Sequence, residues 1–282
     1  MAPPGVSVVL PASSEAPLLE AALESYAAQT LRDFELVLIG DRDETARAAE
    51  RFGARLSLVY LRRPAASRAE ARNAGVAASS GALVWLADDQ HVATPDCLQE
   101  LADDYARGAA LIVGAQTPGD CCFDRVAPLV ARFGARLDGL QLPWLAALGG
   151  QYALSRSALA ECQGFDARFA GWDAEDLDLP FRWWSSGQPI RVTRRAVCAR
   201  QDPQPDAQPL VLADQVEAFA RKHGALDAWL LWRFLRGDEP DAIHAVALER
   251  ARGPSAPGRE LARLAEELVR SSVSATRSWW RP

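Results

Sequence analysis

The chain has 282 residues, 49% hydrophobic and 24% charged, so it can bury a sizeable core and most of it is expected to fold. Its net charge of −6 and pI near 5.2 argue against nucleic acid as the main partner, because binding phosphates requires a basic surface. The five cysteines lack the spacing of a metal site. No signal peptide or run of about 18 apolar residues is evident. We therefore expect free thiols, a cytoplasmic location and no membrane span.

The first part of the chain alternates predicted strands and helices. Apolar strands are predicted at 6–11, 35–39 and 56–60, and the helices between them at 17–29 and 43–52. Alternation of this kind predicts an α/β fold with a mostly parallel sheet and crossover helices on its faces.

The next predicted strand, 82–86, is followed by two adjacent carboxylates, Asp88 and Asp89. Ligands of open α/β sheets bind at the carboxyl edge, where parallel strands end. Adjacent carboxylates repel each other unless a cation or water offsets their charge. The turn is therefore a candidate site for a divalent cation beside a nucleotide diphosphate. A solvated turn or a helix cap is the alternative interpretation.

Two other features are expected near this edge. Asp41 follows the second strand, where a carboxylate can accept hydrogen bonds from a base or a ribose, or from its own loop. Arg68 and Arg72 have helical i, i+4 spacing within a predicted helix at 68–78. The two arginines could clamp a diphosphate or pair with surface acids.

The second part of the chain is less regular. Trp172 precedes a group of acids at the start of a predicted helix, where the helix dipole favours negative charge. An indole beside these acids offers a stacking surface for a sugar ring. The proline-rich segment 202–209 is a predicted linker to a helical tail. The remaining elements predicted in this part are helices at 95–107, 127–137, 155–161 and 175–186, strands at 109–115 and 190–193, and a short apolar run at 151–154.

Taken in order, these segments resemble the family-2 inverting glycosyltransferases of the GT-A fold, over roughly residues 5–200. The resemblance implies an α/β, Rossmann-like, mostly parallel sheet with flanking helices in a nucleotide-sugar-binding and catalytic domain at 1–201. It leaves 202–282 as a helical C-terminal extension, which could contribute to the acceptor site or to a homodimer. The segments that carry the resemblance are Val6–Pro11, Gln29-Thr30, Glu35–Asp41, Ala71–Gly75, Asp88-Asp89, Gly164–Asp166 and Glu175–Leu179.

On the donor side, the resemblance implies a nucleotide-sugar site formed by Pro11, Asp41, Arg72 and Asp88. Asp41 matches the acid that contacts the uracil or ribose, and Asp89 matches the metal-binding carboxylate of the DXD motif. The implied cofactor is Mn²⁺ or Mg²⁺, and the implied donor is linked to UDP.

On the acceptor side, the resemblance implies that Asp176 is the general base that deprotonates the acceptor hydroxyl. Glu175 would hold or orient that acceptor, a saccharide or natural product. Trp172 and Asp173 would contact the sugar or the acceptor.

Three positions depart from the family pattern. Ala87 replaces the first Asp of DXD, Ser13-Ser14 replace an aromatic-Asn pair, and Arg200-Gln201-Asp202 stand where many relatives carry a metal-binding His. Ala87 and the missing His favour an alternative in which the chain is a catalytically inactive, glycosyltransferase-like binding subunit.

Overall fold

A computed structural model describes the elements that surround the predicted site. The predicted helix at 127–137, the linker at 202–209 and nearly all of the tail lie outside the described residues. Those residues are 5–64, 67–116, 144, 147, 151–169, 174–201, 219 and 221–223.

Within these ranges, the strands form one eight-stranded sheet in the order β3-β2-β1-β4-β7-β6-β8-β5. The strands are β1 (Val6–Pro11), β2 (Phe34–Gly40), β3 (Leu58–Arg62), β4 (Leu83–Leu86), β5 (His91–Ala93), β6 (Leu111–Gln116), β7 (Tyr152–Ser155) and β8 (Arg191–Arg200). The helices are α1 (Ala16–Ala27), α2 (Asp43–Phe52), α3 (Arg68–Ala78), α4 (Cys97–Ala106), α5 (Arg156–Glu161) and α6 (Ala174–Ser185).

The first four strands form a parallel half-sheet. β1 pairs in parallel with both β2 and β4, so that Val9 lies between Val37 and Leu86. Strands β1, β2 and β4 are buried on both faces, as expected for a parallel sheet covered by helices, whereas β3 at the edge is partly exposed. Helix α3 packs closely on them, because a Cβ added at Gly75 would lie 2.5 Å from Val9 Cγ1. The carboxyl ends of β1, β2 and β4 therefore meet at one edge, as the sequence predicted.

The other half of the sheet is mixed. Strand β7 is antiparallel to β4 and β6, while β8 is parallel to β6 and antiparallel to β5. Four of the seven strand pairings described are parallel. The predicted α/β fold is confirmed, with its parallel pairings concentrated in the first half of the chain.

Several predicted boundaries need correction. Strand β3 begins at Leu58, two residues later than predicted, because the Leu56 N–H still bonds to Phe52 O at 3.0 Å and closes the end of α2. The three-residue strand β5 was not predicted. Strand β8 extends to Arg200 rather than ending at Thr193, because its second half pairs with β5. None of the helices in the described ranges has the length and apolar character needed to cross a bilayer.

Candidate active site

A pocket of about 270 Å³ opens at the carboxyl ends of β1 and β2. Pro11 and Asp41, both predicted to contact the nucleotide, line it, and Arg68 from the first turn of α3 closes one side. The Ala12 N–H bonds to Ile39 O at 2.7 Å, so the parallel ladder continues into the pocket wall. The other lining residues are Ala12, Ser13, Ile39, Gly40, Arg42, Arg63, Ser67 and Ala71.

Asp88 lies just beyond β4 and is buried. Its Oδ1 accepts a hydrogen bond from the Gln90 N–H at 2.8 Å, and its Oδ2 lies 3.5 Å from Arg68 Nη1. Burial alone would raise the pKa of Asp88, but the hydrogen bond with His91 and the charge of Arg68 outweigh it and lower that pKa well below its usual range. Asp88 is therefore an ionised carboxylate beside an arginine of the pocket.

Asp89 points to the loop between β1 and α1. Its Oδ2 accepts the N–H groups of Ser13 and Ser14, each at 2.6 Å, and its Oδ1 accepts the Ser14 hydroxyl at 2.8 Å. Burial and the neighbouring charge of Asp88 raise the pKa of Asp89, against the effect of the Ser14 hydrogen bonds. The sequence did not predict these contacts, which make Asp89 a support for the wall of the pocket.

The chemistry of these two carboxylates fits a divalent cation. No group of three or more His, Cys, Asp or Glu side chains within the described ranges is arranged to hold a metal. Mg²⁺, however, is commonly bound by one or two carboxylates together with substrate phosphates. Each carboxylate oxygen has two lone pairs, so Asp89 Oδ1, with one hydrogen bond, keeps one available.

The predicted catalytic acids lie in the first turn of α6. Glu175 and Asp176 are 1% and 0% exposed, and both approach Arg72. Arg72 Nη1 donates to Asp176 Oδ1 and lies 3.7 Å from Glu175 Oε1. Burial alone would lower the pKa of Arg72, but the charge of Asp176 outweighs it and raises that pKa. The acids and the arginine thus form a buried charged group.

The two arginines of α3 have different positions. Arg72 is fully buried beneath the acids and does not line the pocket. Arg68 lines the pocket, and its Nη1 lies 3.5 Å from Asp88 Oδ2 and 4.0 Å from Asp176 Oδ2. The sequence left open whether the two arginines clamp a diphosphate or pair with acids; in the structure Arg68 lines the pocket and Arg72 pairs with buried acids.

Asn73 connects α3 to the loop that leads towards α6. Its side chain donates to Phe165 O and accepts the Phe165 N–H, both at 2.9 Å. A side chain at Gly164 would be strained, since its φ is +69° and an added Cβ would lie 2.7 Å from Asn73 Oδ1. The Ala71–Gly75 segment therefore supplies an ion pair, a loop contact and a close packing point.

Asp178, a third acid of α6, has different partners. It accepts hydrogen bonds from Arg182 Nε at 2.9 Å and pairs with Lys222 Nζ at 2.7 Å and His223 Nε2 at 2.7 Å. Burial opposes its ionisation, but these partners lower the pKa of Asp178. The sequence did not predict a role for Lys222 or His223.

Tyr152, at the start of β7, is a further group that the sequence analysis missed. It is fully buried, and its hydroxyl has no hydrogen-bond partner among the described residues. Burial and the negative charge of Asp176 raise its pKa well above the usual value. The predicted contacts Trp172 and Asp173 lie outside the described residues.

Comparison with known proteins gives one family match. The sequence model described as "Glycosyl transferase family 2" matches residues 7–162. A validoxylamine A glucosyltransferase of Streptomyces hygroscopicus is 26% identical over 81% of the chain, and a PGL/p-HBAD biosynthesis glycosyltransferase of Mycobacterium tuberculosis is 38% identical over 45%. The matches cover 63% and 48% of these relatives' own lengths.

Two solved structures have the same fold. The mannosyltransferase PcManGT of Pyrobaculum calidifontis, in complex with GDP-Man and Mn²⁺, has a TM-score of 0.61 and 22% identity over 99% of this chain and 83% of its own. Glucosyl-3-phosphoglycerate synthase of Mycobacterium tuberculosis, in complex with Mg²⁺ and UDP, has a TM-score of 0.54 and 23% identity. The match covers 77% of this chain and 79% of the synthase chain.

Proposed function

Because the chain belongs to glycosyl transferase family 2, we propose that it is an inverting glycosyltransferase that moves a sugar from a UDP-linked donor to an acceptor hydroxyl. The observation that carries this proposal is that the pocket and the acidic side chains lie close together at one edge of the sheet. Arg68, which lines the pocket at the ends of β1 and β2, lies 3.5 Å from Asp88 beyond β4 and 4.0 Å from Asp176 of α6.

The pocket is the donor site. Asp41, at its exposed end, can accept a hydrogen bond from a base N–H or a ribose hydroxyl. Arg68 can donate to the diphosphate, since a guanidinium matches phosphate oxygens in geometry and charge. UDP bound to one solved relative and GDP-Man bound to another support a nucleoside diphosphate in this class of pocket.

A divalent cation, Mn²⁺ or Mg²⁺, would be held by Asp89, with Asp88 beside it. When bound, it would offset the charge that develops on the leaving diphosphate. The bound metals in both solved relatives support this assignment.

Asp176 is the proposed base. It would take the proton of the acceptor hydroxyl while the acceptor oxygen bonds to the anomeric carbon of the donor and the bond to the diphosphate breaks. Attack from the face opposite the leaving group inverts the anomeric centre. Arg72 would keep Asp176 ionised before the reaction, and Glu175 would orient the acceptor.

A catalytically inactive binding subunit is the second candidate. Ala87, in place of an acid, and the complete burial of Asp176 against Arg72 both favour it. This candidate predicts binding of a nucleoside diphosphate and metal without transfer to any acceptor.

Calorimetry and transfer assays with a panel of sugar nucleotides test the proposal. For the wild type we expect UDP to bind more tightly with Mn²⁺ than without it, and for Asp89→Ala we expect this metal-dependent gain to be lost. Asp176→Asn should lower transfer by about 10²–10⁴-fold, the usual contribution of a general base, and leave UDP affinity unchanged.

Asp103→Asn, at a partly exposed position of α4, is the matched control and should change neither quantity. Loss of less than about tenfold in Asp176→Asn would contradict its role as base. Binding of UDP and Mn²⁺ without transfer of any sugar in the panel would favour the inactive subunit.

A further inference from the structure

We propose that Lys222 is a positioning residue, which fixes α6 by binding Asp178 and Asp166 and thereby holds Glu175 and Asp176 at the sheet edge. This inference rests on the proposed function, because it assigns a role to a residue that acts on the proposed base. It concerns the described part of the tail, Phe219 and residues 221–223.

Lys222 has two carboxylate partners from different elements. Its Nζ lies 2.6 Å from Asp166 Oδ2, in the loop before α6, and 2.7 Å from Asp178 Oδ1, within α6. The same amine lies 5.0 Å from the centroid of the Phe169 ring. One cation thus connects the tail, the loop and the helix at a point where its own side chain is 23% exposed.

A cluster of aromatic side chains positions the amine of Lys222. Phe219 is fully buried, stacks on Trp144 with 5.6 Å between ring centroids, and contacts Phe181 edge-on at 5.1 Å. His223 lies 4.5 Å from the same Phe181 ring and pairs with Asp178. Apolar packing therefore holds the tail against α6, while Lys222 and His223 set its polar contacts.

The network reaches the proposed base through a rigid helix. Asp178 is three residues after Glu175 and two after Asp176, so it lies within one turn of both. Arg182, four residues further along, donates to Gly164 O at 2.6 Å, and Gly164 adjoins the loop residue bound by Asn73. Arg72 thus holds Asp176 in the first turn of α6, while Lys222 and His223 hold Asp178 two residues later.

Like Asp176, which pairs with Arg72, Asp178 has a structural explanation in the contacts around it. Its carboxylate is surrounded by three cationic side chains, Arg182, Lys222 and His223 when protonated. Removal of Lys222 would leave two buried or half-buried acids with one partner fewer and would loosen the contact between the tail and α6. We expect the consequence at the active site to be misplacement of the base, with no loss of donor binding.

Hydrogen exchange and kinetics of Lys222→Met test this inference, with Lys222→Arg as the conservative variant and Arg47→Met as the matched control. Arg47 is a cation in an exposed pair with Glu44 on α2. We expect Lys222→Met to speed amide exchange in Ala174–Ser185 but not in β1, and to lower kcat roughly 10- to 100-fold, the scale of a misplaced catalytic group, at unchanged UDP affinity. Lys222→Arg should recover most of kcat, and Arg47→Met should resemble the wild type.

Unchanged exchange in α6 would overturn the inference, as would unchanged kcat together with faster exchange throughout the protein. If the wild type transfers no sugar, the proposed function fails. The exchange measurement then still decides whether Lys222 holds α6, because it requires no turnover.

Discussion

The two sides of the candidate site are held in place by different means. On the donor side, Pro11 and Asp41 lie at the ends of parallel strands, whose register is fixed by main-chain hydrogen bonds. On the acid side, Asp176 lies on a helix and is held by Arg72, a residue 104 positions away in the sequence. Main-chain register tolerates changes of side chain, whereas a charged contact between distant segments depends on both partners. Single substitutions should therefore have small effects on the stability of the first side and large effects on that of the second.

Arg72→Met should destabilise the acid side and have the largest effect on the unfolding free energy. It leaves Glu175 and Asp176 buried without their arginine, and removal of one partner from a buried ion pair costs about 3–5 kcal/mol of unfolding free energy. Urea unfolding at neutral pH measures this quantity. The donor-side counterpart is Asp41→Asn, which we expect to change the unfolding free energy by less than about 0.5 kcal/mol because Asp41 is exposed. Equal effects of the two substitutions would contradict the comparison.

Gly75→Ala sharpens the comparison, because it tests the close packing of α3 on β1 and β2, the strands whose ends form the donor side. The added methyl group would lie 2.5 Å from Val9 Cγ1 and 2.8 Å from Ile39 Cδ1, and Val9 is β-branched and buried. We expect a loss of about 1–2 kcal/mol, since overpacking outweighs the better helix propensity of alanine.

Two further variants isolate this contact. Gly75→Ala combined with Val9→Ala should cost less than the sum of the single changes, because the second change removes the clash. Gly5→Ala, where the nearest atom to the new Cβ is Asp33 Oδ2 at 3.5 Å, should change the stability little. Strict additivity of the first two substitutions would show that α3 does not press on β1 at this point.

Asp178→Asn adds a pH dependence to the comparison. The pKa of Asp178 is lowered in the folded protein from a model-compound value of 3.8, so its ionised form stabilises the fold above that pH. The contribution disappears as the pH falls through the folded pKa. We expect the wild type to exceed Asp178→Asn by about 1.5–3 kcal/mol at pH 7, typical of hydrogen bonds to a charged group, and the difference to narrow below about pH 4.

Asp103→Asn provides the reference for that measurement. It removes a partly exposed acid from α4 and should change stability by less than about 0.5 kcal/mol. A difference between the wild type and Asp178→Asn that stays constant down to pH 2 would contradict the role of the charge.

The sequence predicted the donor side of the site better than the acid side. The positions of Asp41 and Asp88 followed from apolar strands that end in acids, because strand period and parallel order are local patterns. The length of β8 could not be predicted, because its second half depends on β5, which has only three residues and is too short to show a period.

Side-chain partners across the sequence were harder to predict. Helical spacing put Arg68 and Arg72 on one face, but it could not show that Arg72 is buried under Asp176 while Arg68 faces the pocket. The contact between Asp89 and Ser13-Ser14 joins residues about 75 positions apart, and no local pattern predicts it. The roles of Asp41, Asp89, Glu175 and Asp176 in binding and transfer remain predictions.

The single lysine gives this protein one side-chain amine. Reagents that acylate amines modify many positions in an ordinary protein and report an average of them. Here the same reagent would report on one side chain, which lies between Asp166 and Asp178. The rate of acylation at Lys222 thus measures how often this amine leaves its two carboxylates, because it is slow while both bind the amine and fast once the amine is exposed to water.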